Sequence, residues 1–332
     1  VEAPFTVLIE SRQKVGKMSI GVDREVGGRM DENINFCILE TAGKDAAMDF
    51  PRRLKCIPKK WRAKAETDYV RNELPVTKEV VTYFGVNGIK IILPYTFYQL
   101  QDFEVQEIKE IFECIIRREG VQNIVANERL LPYIQVDKVA DGNLIPLLFT
   151  NEIIEWIRNK HEISEKEQHI VIMDSGGFAP GFVLSHFEDT LNHLTIITKR
   201  EQYFEEYVEY MYEQTGLLVS VVSDAVQIKV EGNIVLDLCE IERGEYRYYP
   251  NNSIVIQFFY DKEKTKKIIV ERKDLKYYNK IYLHNDDELV DNKLFQAVLC
   301  GSNMNMDPVK LENIYQYVKK QRFYISGLGV KV

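Results

Sequence analysis

Residues 169–182 read HIVIMDSGGFAPGF. An uninterrupted apolar run, Ile170 to Met173, passes directly into Asp174, Ser175, Gly176 and Gly177. Such a run without alternation suits a strand covered on both faces of a parallel sheet. A strand that ends in glycines and opens a helix is how α/β folds aim backbone N–H groups at an anion such as a phosphate. The pattern continues downstream. Gly181 to Leu191 is expected to be a helix, Leu194 to Thr198 (LTIIT) a second strand and Leu217 to Val222 a third. Between the last two lies a helix with Phe204, Tyr207, Val208 and Met211 on one face and Gly216 as its stop.

The turn is a degenerate form of the G-x-G-x-x-G/A dinucleotide fingerprint. Gly176 keeps the second glycine, Ala179 fills the third position, and Asp174 replaces the first glycine. The second strand ends at Thr198, Lys199 and Arg200. Basic residues there suit a ribose 2′-phosphate. Asp174, Ser175, Gly176, Gly177, Thr198, Lys199 and Arg200 are therefore the candidate cofactor-binding residues, with NADP as the expected cofactor. His161, His169, His186, His193 and His284 show no metal-ligand spacing, and no metal is expected.

This stretch resembles the NADP-binding half of shikimate-dehydrogenase-like Rossmann enzymes. D-S-G-G-F stands where they carry G-A-G-G-A, and T-K-R where they carry N-R-[ST]. The resemblance spans residues 169–222. It implies a Rossmann-like fold, with Gly176 and Gly177 facing a pyrophosphate and Lys199 and Arg200 a 2′-phosphate. The ELPVTKE stretch around Lys78 is similar to their V-T-x-P-x-K motif with the order transposed, so no catalytic role passes to Lys78.

Asp174 is the physical difficulty. A carboxylate about 4 Å from a phosphate repels it by about 1–4 kcal/mol, depending on the dielectric. Either Asp174 turns away, or a metal bridges it to the ligand, or the turn no longer binds a dinucleotide. The DSGG substring also occurs in trypsin-like proteases, but the strand–helix context differs from theirs.

Bulk composition fits an ordinary globular chain. Of 332 residues, 45% are hydrophobic and 28% charged, enough for a sizeable core; the length suggests two domains, or one large one with an appendage. With a net charge of −8, general adhesion to nucleic acid or anionic membrane is not expected, although a local basic patch could still act. Cys37, Cys56, Cys114, Cys239 and Cys300 form no CxxC pair. That suggests reduced thiols in the cytoplasm, with Cys114 and Cys239 as core residues. VEAPFTVLIESRQ lacks the charged n-region of a signal peptide, and no run of about 18 apolar residues is present. Lys-, Glu-, Ile- and Asn-rich usage points to a low-GC bacterial source.

Working outward, the expected fold class is α/β, a Rossmann-like three-layer domain with a parallel sheet, plus an N-terminal α+β or α/β domain beginning with a β-meander. The meander is read from Phe5–Ile9, Met18–Val22 and Ile34–Leu39. Lys78–Phe84 reads as a short helix and Gly88–Leu93 as a strand. Asp102 is the expected cap of a helix with Ile108, Ile111, Phe112 and Ile115 inward and Gly120 as its stop, and Val121–Val125 follows as a strand. Pro146 to Arg158 reads as a helix, and the polar 160–168 stretch as a domain boundary. The expected division is 1–160, a mixed α/β domain; 161–250, the Rossmann-like domain; and 251–332, strands and a helix that complete or cap it. In that last part Asn233–Leu238, Ser253–Phe259, Ile268–Glu271 and Lys280–Leu283 are expected strands. Val309–Lys320 is an expected helix capped by Asp307, and FYISGLGVKV a final strand.

Three functions compete. The first is an enzyme or sensor that binds NADP or another nucleotide at the Gly176 turn. The second is a non-catalytic scaffold that has lost dinucleotide binding and docks a partner through the basic segment PRRLKCIPKKWRAK, residues 51–64, with Trp61 as an aromatic platform. The third places Mg²⁺ on Asp174, Asp224 and Asp237, without the D-x-D spacing such sites favour, and ranks last. The partners admitted are a small anionic ligand or nucleotide and a homo-oligomeric copy.

Overall fold

A computed structural model describes residues 34–42, 52–73, 76–101, 103–120, 123–134, 139–187, 191–223, 230–240, 245–286, 288–301 and 308–331. The chain divides into two compact units, Val1–Asp141 with Lys293–Glu312, and Gly142–Asn292 with Asn313–Val332. Among the described residues no helix is long and apolar enough to cross a membrane.

The first unit runs β1 (Phe36–Thr41), α1 (Arg52–Lys55), α2 (Lys59–Glu73), β2 (Thr77–Tyr83), β3 (Val86–Leu93), α3 (Phe97–Leu100), α4 (Val105–Glu119) and β4 (Ile124–Ala126). Its sheet has the order β2-β3-β1-β4. β1 lies parallel to both β3 and β4. It overlaps the third of the expected runs, Ile34–Leu39, but pairs parallel with both neighbours rather than as part of a meander. The first two, and Gly27 and Gly28, lie outside the described residues. α4 covers the sheet with Ile108, Ile111, Phe112, Ile115 and Ile116 and ends on left-handed Gly120. Its N-cap is Glu104; Asp102 lies outside the described residues.

Two expectations fail in this unit. Lys78–Phe84 is not a helix but strand β2, paired antiparallel with β3. Phe84 and Gly85 both have positive φ, which closes a tight hairpin, and the β-branched alternation of TKEVVTY suits that strand. Cys114 is exposed, because the inward face of α4 passes it by.

The second unit begins with α5 (Leu144–Leu148) and α6 (Thr150–His161), two helices broken at Phe149 where one was expected. Then follow β5 (His169–Met173), α7 (Ala179–Ser185), β6 (His193–Ile197), α8 (Glu205–Thr215), β7 (Val219–Val222), β8 (Ile234–Asp237), β9 (Ile254–Gln257), α9 (Lys262–Glu271), β10 (Lys276–Tyr278), β11 (Lys280–Asn285) and β12 (Glu288–Leu289). α10 (Asn292–Cys300), from Lys293 on, and the start of α11 (Pro308–Lys319) belong to the first unit; the rest of α11 leads to β13 (Phe323–Gly329) in the second. Asp307, the expected cap of α11, lies outside the described residues. β12, β11 and β13 form a small antiparallel sheet. Ile268–Glu271, expected as a strand, is the last turn of α9. Asp261 caps that helix, its side chain accepting from the Lys264 N–H, and only Ile268 of the β-branched run faces inward.

The large sheet has the order β10-β9-β8-β5-β6-β7, with every pairing parallel. Numbered within the sheet from β5, this is 3-2-1-4-5-6 read from β7, the doubly wound order of dinucleotide-binding folds. The fold is Rossmann-like.

Alternate residues on each strand face opposite layers. Ile170, Ile172, Leu194, Ile196, Ile234 and Leu236 pack with residues of α6 and α7. Val171, Met173, Ile197, Val235 and Val255 pack on the other side with Ile268 of α9, Tyr246 and Tyr249. The polar 160–168 stretch, expected as a boundary, lies inside this unit because α6 before it buries Ile153, Ile154 and Ile157 on the sheet.

Candidate functional site

In a doubly wound sheet the crevice opens where strand order reverses, beyond the carboxyl ends of the two central strands. Here those strands are β5 and β8. Their ends place Met173 beside Asp237, with the Leu238 N–H bonded to the Met173 carbonyl at 3.1 Å. The glycine turn leaves β5 at this point.

The turn is held by a clamp. The Asp174 side chain is 1% exposed and accepts four hydrogen bonds. Gly176 N–H donates to Oδ1 at 2.8 Å and Thr198 Oγ1 to Oδ2 at 2.7 Å. Arg200 donates from Nε to Oδ2 at 2.8 Å and from Nη2 to Oδ1 at 3.0 Å, a bidentate pair. The same Nη2 reaches the Gly177 carbonyl at 2.9 Å. The guanidinium lies 4.0 Å over the Tyr203 ring, and a Cβ at Gly181 would come within 2.6 Å of the Tyr203 hydroxyl, so a side chain there would displace that ring. The bond to Asp174 raises the Arg200 pKa above its ordinary value.

The register explains the meeting. β5 and β6 are parallel with Met173 opposite Ile197, so the next residues, Asp174 and Thr198, leave the sheet side by side. Asp174 N–H still bonds the Ile197 carbonyl at 2.9 Å. Of the three alternatives the sequence left open for Asp174, the first holds: the carboxylate turns to the protein's own cation.

Gly176 and Gly177 have φ of +123° and +77°, conformations that only glycine adopts without strain. A Cβ on Gly176 would meet nothing within 4 Å, so that face of the turn is open. Glu240, in the segment after β8, stands against Gly177, its Oε1 3.0 Å from where a Cβ would lie. Among the described residues, the N–H groups of Gly177, Phe178 and Ala179 have no backbone acceptor. Of the seven candidate residues, Asp174, Gly176, Gly177, Thr198 and Arg200 share one hydrogen-bonded network. Ser175 is the half-buried link within it, and Lys199 stands exposed beside it. Glu240 and Tyr203 belong to the same corner and were not singled out from sequence, although Glu240 directly follows the apolar LDLC run.

Asp237 is a second unexpected feature. It is wholly buried and forms a 2.7 Å ion pair with Lys264 of α9, itself 1% exposed. Asp237 Oδ1 accepts from the Cys239 N–H, and burial beside Asp237 pushes the Tyr249 hydroxyl pKa well up. Asp174 and Asp237 thus each face a protein cation, which leaves the Mg²⁺ reading without its carboxylates; Asp224 lies outside the described residues. Among the described residues no three metal-ligating side chains cluster.

No family model and no curated protein matches the chain. Among solved structures it is similar to L-tryptophan dehydrogenase from Nostoc punctiforme, with 11% identity and a TM-score of 0.34, over 85% of this chain and 79% of that one. It is also similar to the ligand-free 5-ketofructose reductase of Gluconobacter sp. strain CHM43, with 12% identity and a TM-score of 0.30, over 86% of this chain and 99% of that one. Those activities belong to those proteins. For this chain the strand order itself gives the fold.

Proposed function

We propose that the parallel-sheet unit binds a nucleotide, NADP(H) first among the candidates, across the Gly176–Gly177 turn. One observation carries the reading: the glycine turn leaves the sheet at the strand-order reversal, where such folds bind ligands outside the strand ends. Three further features support it. The Gly177, Phe178 and Ala179 amides are uncommitted to backbone acceptors, Gly176 is open on one face, and Lys199 is an exposed cation beside the turn. Arg200 neutralises Asp174, so the carboxylate no longer repels a phosphate as a free charge would. On this reading Asp174, Thr198 and Arg200 shape the turn, while the glycine-turn amides and Lys199 face the ligand.

The test is thermal unfolding with NADP(H), NAD(H), ATP and S-adenosylmethionine. A ligand at 100 times its dissociation constant adds about 2.7 kcal/mol of stability and raises the Tm. Lys199→Glu should weaken the NADP(H) effect more than the NAD(H) effect, and Glu240→Gln, which removes a like charge beside the turn, should strengthen both. Four ligands that all leave the melting curve in place would sink the proposal.

A second reading, a docking scaffold, is favoured by the basic segment. A cleft of about 530 Å³ at α1 and α2 is lined by Arg53, Trp61 and Lys64 among others, and Trp61 is 65% exposed. Neutralising Arg52, Arg53, Lys59 and Lys60 together should abolish partner capture in a pulldown; unchanged capture would remove this reading.

A further inference from the structure

We propose that an acidic groove along α8 receives the basic Arg52–Lys64 segment of a second copy of this chain. The proposal deepens the docking reading by naming the partner, and it is independent of nucleotide binding. The groove has a volume of about 480 Å³ and lies between α8 and β7, the outermost strand of the large sheet. Glu201, Glu205 and Glu209 recur at four-residue spacing, which sets them along one side of the helical stretch. None of the three makes an ion pair with a described residue. Residues 201–215 contain five glutamates and no lysine, arginine or aspartate.

The rest of the groove is apolar. Leu218 is 76% and Tyr212 59% exposed, Val208, Val219 and Val221 are half-buried, and Leu217 is buried at its floor. An apolar patch rimmed by one sign of charge marks an association surface. The Arg52–Lys64 segment has the opposite character. It carries seven lysines and arginines and no acidic residue. Lys60 and Lys64 stand one helical turn apart, flanking Trp61 in sequence, and all three are exposed. An exposed tryptophan between cations is the kind of anchor that dominates protein interfaces. In the docked pair the indole of Trp61 sits on Leu218, Tyr212 and Val208, and Lys60 and Lys64 meet Glu205 and Glu209. Each copy holds one donor segment and one acceptor groove, so association is between unlike surfaces.

Sedimentation of the full chain tests this with two variants. Glu205→Lys with Glu209→Lys spoils the groove; Lys60→Glu with Lys64→Glu spoils the segment. Wild type should self-associate, more weakly as salt rises. Each variant alone should associate about tenfold more weakly or worse, a change of about 1.4 kcal/mol per factor of ten. An equimolar mixture of the two should recover association, because each then offers what the other lacks. All four positions are exposed, and unchanged circular dichroism confirms folding. A wild-type chain that stays monomeric overturns the proposal, including the case in which the basic segment captures a different protein. So does association that survives the groove variant, or a mixture no better than its components.

Discussion

Lys264→Met lowers the unfolding free energy of the parallel-sheet unit by about 3–5 kcal/mol, because it leaves the wholly buried Asp237 carboxylate without its counter-charge. Two ions removed from water gain little from each other over an apolar pair. Removing one alone is what costs most. The double variant Asp237→Leu with Lys264→Met therefore recovers much of the loss. The recovery is incomplete, since the Cys239 N–H loses its acceptor. Urea denaturation of the two variants against wild type decides it. A loss under about 1 kcal/mol for Lys264→Met would mean that water reaches the pair.

The clamp at the glycine turn gives the second large effect, and its asymmetry is the informative part. Arg200→Ala leaves a 1% exposed carboxylate with two donors instead of four and should cost about 3–5 kcal/mol. Asp174→Ala leaves a guanidinium that is 31% exposed and can turn to water, so it should cost about 1–3 kcal/mol. The reverse order would contradict the burial and the hydrogen bonds described. Asp174→Gly restores the first glycine of the fingerprint. It frees the Gly176 N–H and the Arg200 guanidinium for a ligand's phosphate, and nucleotide affinity should rise even as stability falls. The carboxylate is in effect a tethered anion that competes with an incoming one.

Much of the fold was legible because local and tertiary preferences agree along residues 169–222. Ile170–Met173 is an unbroken apolar run and Leu194–Ile197 is rich in β-branched residues, and each lies in a strand buried on both sides. The failures have physical causes. TKEVVTY and KKIIVE both mix charged residues with β-branched ones. The first is a strand because a tight turn joins it to β3, and the second a helix because Asp261 caps it. The exposure of Cys114 was within reach, since the inward positions of α4 already skipped it. The candidate residues were legible as a group, from the glycines and the end of the second strand. Their roles were not. Whether Arg200 serves a ligand or Asp174 depends on the β5–β6 register, which sets Asp174 beside Thr198. The Asp237–Lys264 pair was beyond reach, because it joins residues distant in sequence through the packing of α9 on the sheet.

The most direct test of a ligand-binding switch point is a titration of ¹⁵N-labelled protein with NADP(H), followed at the backbone amides. Gly176, Gly177, Phe178, Ala179 and Lys199 should shift saturably and ahead of all others, while amides of the first unit stay in place. Shifts confined to other residues, or none with any of the four ligands, would contradict the account.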